Sequence, residues 1–199
     1  KGKITANAQG SIDLNGPSGS KFIVTEAKST NGGDITLSAA GESVIDGVVD
    51  TAGAIILTAG GRQVLGQNAQ VTSGAGAASV DAESLKMLNG AALTAAGKVA
   101  ITTVGDAQLT AVKSSSGATD AVNIDAGGQV FAGTLAGRAF DISATTAGAG
   151  VKIVAGQGIG DKTRANETAD DDTVTDVANP LRIVTGLLDA SAANGSISV

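Results

Sequence analysis

Six acidic residues crowd into one short stretch, DKTRANETADDDTVTD at 161–176: Asp161, Glu167, Asp170, Asp171, Asp172 and Asp176. Carboxylates at this density could do two kinds of chemistry. They could chelate a hard cation such as Ca²⁺, which takes about six to eight oxygen ligands. A pair such as Asp170 and Asp172 could also share acid–base work on a sugar. Neither reading has its spacing. The stretch lacks a D-x-[DN]-x-[DN]-G run and a glycine–aspartate nonapeptide. It reads as a solvated loop in which Lys162 and Arg164 pair locally with some of the acids at little energetic gain. A cation held by Asp170, Asp171 and Asp172 is the competing reading. No metal or cofactor site is assigned.

Nucleophilic catalysis has even less to draw on. A nucleophile–base pair needs His or a matched substitute, and the sequence contains no His and no Cys. Two glycine-rich strings, GAGAASV at 74–80 and AGAGVKIVAGQGIG at 147–160, resemble phosphate loops only superficially. They lack G-K-[ST] and a following helix, and read as turns. No catalytic residue is assigned, and the chain is read as a non-enzyme.

The elements around these candidates must be unusual. Of 199 residues 42% are apolar, yet aromatics make up only 2%, all of them Phe: Phe22, Phe131 and Phe140. Aromatic side chains fill wide interiors, so a core of Ala, Val, Ile and Leu must be narrow or assembled from small stacked units. The 29 Gly and two Pro, Pro17 and Pro180, point to many turns. A net charge of −6 argues against a nucleic-acid partner. The absence of Cys fits a cytosolic protein or a bacterial secreted one. No apolar run is long enough to span a membrane. The chain opens KGKITANAQG and closes SISV, both inside the pattern described next, and is expected to be a segment of a longer rod.

That pattern is a repeat. GGDITLSAAG at 32–41 is echoed by AGAIILTAGG at 52–61, AAGKVAITTVG at 95–105 and DAVNIDAGG at 120–128. The leading apolar residues are Ile12, Ile35, Ile55, Val80, Val99 and Val122, followed two positions later by Leu14, Leu37, Leu57, Ala82, Ile101 and Ile124. Alternation with a period of two marks a strand with one buried face. Two weaker tracks run between: Val44, Val64, Leu85, Leu109, Phe131 and Val49, Val71, Leu93, Val112, Leu135. Three short strands per period of roughly 20 residues predict an all-β fold, a parallel β-solenoid with triangular rungs. About ten rungs at roughly 4.8 Å would make a rod near 45–50 Å long. DAESLKML at 81–88 has a plausible capped helix start, but the strand reading with Leu85 buried is preferred. Thr36, Ser38, Thr58, Thr102, Asn123 and Asp125 are expected to face water. Residues 161–177 are expected to leave the solenoid as an irregular, mobile excursion that returns at Pro180.

The rungs resemble the shaft repeats of filamentous-haemagglutinin-like bacterial exoproteins, large adhesins exported by two-partner secretion. GQGIGDK at 156–162, ANPLRIVTG at 178–186 and LDASAANGSISV at 188–199 carry the most specific likeness. The resemblance implies a right-handed parallel β-helix outside a Gram-negative cell, serving adhesion or biofilm formation. That family's export domain carries NPNG- or NPNL-type motifs, which this chain lacks, so the resemblance implies shaft. The partners so implied are neighbouring rungs of the same chain, with exopolysaccharide or a host glycan as the alternative function's ligand. A third reading is a β-helix polysaccharide lyase or hydrolase. Such enzymes line their clefts with sugar-stacking aromatics, and Trp and Tyr are missing.

Overall fold

The computed structural model describes residues 3–17, 21–133, 139–160, 163–164, 176–177 and 180–199. Among them there is no helix, and parallel strands stack as a β-solenoid of about six turns with about 22 residues per turn. Three sheet faces run along its axis. Strands are numbered in chain order. Face one stacks β2 (Ile12–Gly16), β4 (Ile35–Ala39), the start of β6 (Ile55–Leu65), the start of β8 (Ala78–Met87), β10 (Val99–Thr103), β13 (Val122–Ala126), β16 (Gly150–Ala155) and β20 (Leu187–Ala192). Face two stacks the start of β3 (Phe22–Ser29), the start of β5 (Ser43–Thr51), the ends of β6 and β8, β11 (Ala107–Leu109) and β14 (Val130–Ala132). Isolated bridges from Val130 to Ile159 and from Ile159 to Ile197 continue it. Face three stacks β1 (Ile4–Ala8), the ends of β3 and β5, β7 (Gln70–Ser73), β9 (Ala92–Ala95), β12 (Ala111–Ser114), β15 (Ile142–Ala144) and β19 (Ile183–Thr185).

The core is a bundle of ladders of like residues. Leu14, Leu37, Leu57, Val80, Ile101, Ile124 and Ile153 stand in register on face one. The neighbouring ladder is Ile12, Ile35, Ile55, Ala78, Val99, Val122 and Val151. The expected register therefore needs one correction. Ala78, not Val80, is the partner of Ile55 and Val99, and Val80 belongs with Leu57 and Ile101. Alternation alone could not see this, because both 78 and 80 carry apolar residues two apart. On face three Val49, Val71, Leu93 and Val112 stack as expected, but Ile142 follows Val112. Leu135, expected there, lies outside the described residues. Leu85 is buried in β8, so 81–88 contributes strand and not helix. Thr36, Ser38, Thr58, Thr102, Asn123 and Asp125 sit at half-buried or exposed positions on the outer side of face one.

There are fewer turns than chain length divided by the early period suggests, because late rungs carry insertions. Val122 and Val151 are register partners 29 positions apart, and Val151 and Leu188 are partners 37 apart. The second insertion contains the acidic stretch. Its two described segments, β17 (Thr163–Arg164) and β18 (Asp176–Val177), pair antiparallel. The remainder of the expected excursion, with Asp161, Lys162, Glu167, Asp170, Asp171 and Asp172, lies outside the described residues. The register survives the detour through a clasp: fully buried Asp141 accepts from the Arg182 backbone N–H at 2.9 Å and from its Nε at 3.3 Å. The Asp141 N–H donates to the Arg182 carbonyl at 2.8 Å. Arg182 is thereby pinned beside Ile183 on face three, ready to resume the stack.

The corner from face three to face one explains why Ile35, Ile55, Ala78 and Val99 each have a glycine two positions earlier. A Cβ on Gly53 would lie 2.5 Å from the Gly32 carbonyl oxygen, one on Gly76 2.5 Å from the Gly53 backbone, and one on Gly97 2.7 Å from the Gly76 oxygen. Successive corners nest backbone on backbone. Hydroxyls at the end of face three close the same turn. Thr51 Oγ1 donates to the Gly33 carbonyl at 2.6 Å, Ser73 Oγ to Gly53 at 2.6 Å and Ser114 Oγ to Gly97 at 2.7 Å.

Two expected outcomes follow from the packing. Ile55→Asp places a carboxylate between Ile35 and Ala78, with Ile55 only 1% exposed, and should destabilise by several kcal/mol. Gly76→Ala forces the corner apart and should cost about 1–3 kcal/mol. Denaturant midpoints check both, and a variant that unfolds with the parent would refute the corresponding register.

Candidate groove on the second face

Face two departs from simple inside–outside alternation, and this departure makes a concave polar site. β6 bends at Gly60–Gly61, where a bulge opens between Ala59 and Arg62 relative to β8. A bulge bends its strand and increases the local twist, and here it turns face one into face two. Beyond the bend, inward positions are Gln63, Leu85, Ala107 and Val130 in one ladder and Leu65 and Met87, then Leu109 and Ala132, in the other. The outward ladder between them is Val44, Val64, Lys86, Gln108 and Phe131.

The expected track Val44, Val64, Leu85, Leu109, Phe131 thus mixes two sides of the sheet. Val44, Val64 and Phe131 stack with Lys86 and Gln108; Leu85 stacks with Gln63 and Ala107. Apolar residues on both sides removed the signal that would have separated them. The outward ladder is buried all the same: Val64 is 0%, Lys86 4% and Gln108 3% exposed. A lysine and a glutamine withdrawn this far on the outer side of a solenoid mark a recessed surface.

That recess is a groove of about 330 Å³ lined by Arg62, Ser84, Leu85, Lys86, Asp106, Gln108 and Phe131. Arg62 and Ser84 are register partners at one corner, and Arg62 Nη2 donates to Glu42 Oε2 at 2.9 Å. Asp106 is held at the next corner by the Gln129 N–H, which donates to its Oδ1 at 2.8 Å. Lys86 and Gln108 are direct cross-rung partners, about 4.8 Å apart by the strand spacing. The Gln108 Nε2 is buried and has no hydrogen-bond partner. The groove therefore offers cationic and amide donors, one carboxylate acceptor, and an apolar wall from Phe131.

The inward side of the same face holds a second polar oddity. Gln63 Nε2 donates to the Ser43 carbonyl at 3.3 Å and the Val64 carbonyl at 3.2 Å, while Gln63 Oε1 and Ser43 Oγ have no partner. Both residues are fully buried in a ladder whose next members are Leu85 and Ala107.

A larger recess of about 550 Å³ lies at the last rungs, lined by Thr119, Asp120, Asn123, Val151, Lys152, Leu187, Leu188 and Asp189. Leu187 and Leu188 are exposed there, on a rung with no described neighbour beyond it. At its rim the Lys98 ammonium lies 2.6 Å from the Asp120 carboxylate. Chiefly through that hydrogen bond, Lys98 holds the Asp120 carboxyl below the usual aspartate range.

Among the described residues no group of three or more His, Cys, Asp or Glu is placed to hold a metal ion. The acidic stretch contributes only Thr163, Arg164 and Asp176 to the described residues. Among those residues no helix is long and apolar enough to cross a membrane. Comparison with protein-family models, with curated proteins and with solved structures gives no match. The class of protein defined by the fold is the parallel β-solenoid, and the chemistry must be read from its own geometry.

Two measurements check this geometry. Gln63→Leu should hold or raise the melting temperature, because it removes the unsatisfied Gln63 Oε1 and continues the apolar ladder of Leu85. A large drop would show that the Gln63 amide is doing structural work that its two donor bonds do not explain. The Asp120 carboxyl should titrate below an ordinary aspartate by NMR, and Lys98→Ala should move its midpoint up. Because its folded pKa is depressed, the Lys98–Asp120 contribution is present above the unfolded aspartate pKa and fades as pH falls through the lower folded value. An unchanged midpoint in Lys98→Ala would discard this contact.

Proposed function

We propose that this chain is a structural module of a bacterial surface adhesin of the filamentous-haemagglutinin-like kind, working outside the cell as a stalk in attachment, aggregation or biofilm formation. The observation that carries the proposal is the in-register parallel stack on three faces. Each rung presents the same backbone edge to the next, so reach grows by adding rungs, and stability is approximately a sum of nearest-neighbour terms. The motif likeness at 156–162, 178–186 and 188–199 supplies the adhesin part of the proposal. The described residues among them, 156–160, 180–186 and 188–199, include Ile159, which bridges to Ile197, and Arg182, which clasps Asp141.

The acidic surface suits the same role, since like charge keeps neighbouring rods apart and soluble. We read the module as non-catalytic: the sequence has no His to serve as general base and no Trp or Tyr to stack sugars.

Surface display tests the proposal. A non-adherent bacterium displaying this chain should gain several-fold in attachment to a solid surface or in cell–cell aggregation. The control is a flexible linker of equal length displayed at the same density. Equal behaviour of the two would refute the stalk role.

A further inference from the structure

We infer that the groove on the second face is a binding site for a carboxylate-bearing sugar, a uronate unit of an acidic polysaccharide. The inference stands apart from the stalk role, because a spacer that binds nothing would still space. It rests on Gln108, an amide that is 3% exposed, lines the groove and leaves its Nε2 without a partner. The two ends of a glutamine amide exchange by a half-turn, so a ligand can take a donor or an acceptor from it. A buried amide without a partner is costly, and a ligand that hydrogen-bonds it recovers that cost.

The neighbours define the ligand. Lys86 stands beside Gln108 on the adjacent rung and adds an ammonium; at the corner Ser84 adds a hydroxyl, and Arg62, whose Nη2 already donates to Glu42, adds a guanidinium with further N–H groups. Ammonium and guanidinium groups form charge-assisted hydrogen bonds to carboxylates. Asp106 opposes a simple inorganic anion but accepts from sugar hydroxyls. Phe131, on the outward ladder, offers apolar wall to the C–H face of a sugar ring. Donors for a carboxylate, an acceptor for hydroxyls and an apolar wall occur together on a uronate. A volume of about 330 Å³ sits at the small end for ligand sites, suited to one sugar unit of a longer chain running along the face.

The test uses the whole chain and four probes: a galacturonate tetrasaccharide, its fully methyl-esterified form, inorganic phosphate and inorganic sulfate. By calorimetry the acid should bind with a Kd of about 10–500 μM and the ester at least about tenfold more weakly. Lys86→Met should weaken binding of the acid by about tenfold or more, and Gln108→Leu by about three- to tenfold, with parental melting temperatures. Should either variant fail to fold, the parent decides alone: its Gln108 side-chain amide resonances should shift on titration with the acid and stay in place with the ester. No binding of the acid, equal binding of acid and ester, or an unmoved Gln108 amide would overturn the inference. Phosphate or sulfate displacing the acid at equal concentration would also overturn it, by showing a plain anion site.

Discussion

Everything in this molecule depends on parallel pairing between one rung and the next. A strand in an ordinary sheet can find its partner in a hairpin a few residues away. Here each strand waits about 22 residues for its partner, through three corners and two other strands. The pairing must therefore hold on three faces at once, and each face constrains the others. A slip of one residue on face one would turn Ile35, Ile55 and Val99 outward and bring Thr36, Ile56 and Ala100 into the core. The core is narrow because the rung is small. That is why Ala, Val, Ile and Leu suffice and why three Phe are enough for the whole chain.

The corners show how register is enforced without large side chains. At the turn into face one, glycines nest so closely that a Cβ would meet the backbone of the rung before. Ser and Thr hydroxyls then bond the glycine carbonyls of the same turns. At the same corner Asp34 Oδ1 accepts from the Ala54 N–H at 2.8 Å, and at the corner from face one to face two Asp106 ties its rung to the next by accepting from the Gln129 N–H. Where the chain departs for a long insertion, the buried Asp141 carboxylate takes over this task by holding Arg182.

Sequence reasoning reached the fold because face one advertises itself. Its strands alternate apolar and polar, and a glycine introduces them. The register erred where that contrast fades. Ala78 and Val80 are both small and apolar, so the ladder slipped by two at one rung. On face two Val44 and Val64 point away from the core yet are buried, and nothing in their chemistry distinguishes them from Ile45 and Leu65 beside them. The groove was invisible for the same reason. Lys86, Gln108 and Arg62 are 22 or more positions apart and look like ordinary surface residues until parallel pairing puts them on neighbouring rungs. The acidic stretch at 161–176 drew attention by composition alone, which reports charge density and not the placement of oxygens.

The direction of the backbone hydrogen bonds has a mechanical meaning. They run along the axis of the solenoid, while the chain itself circles that axis. Tension applied along the axis therefore loads the rungs in series and peels them from an end, one after another. Each rung of about 22 residues adds about 4.8 Å to the folded stack, but its released chain spans up to about 75 Å. A single peeled rung lengthens the molecule by roughly fifteen times its own thickness while the rest keeps its shape. The same stacking that makes the protein stiff in compression makes it a reel under pull, paying out slack in equal steps before any covalent bond is strained.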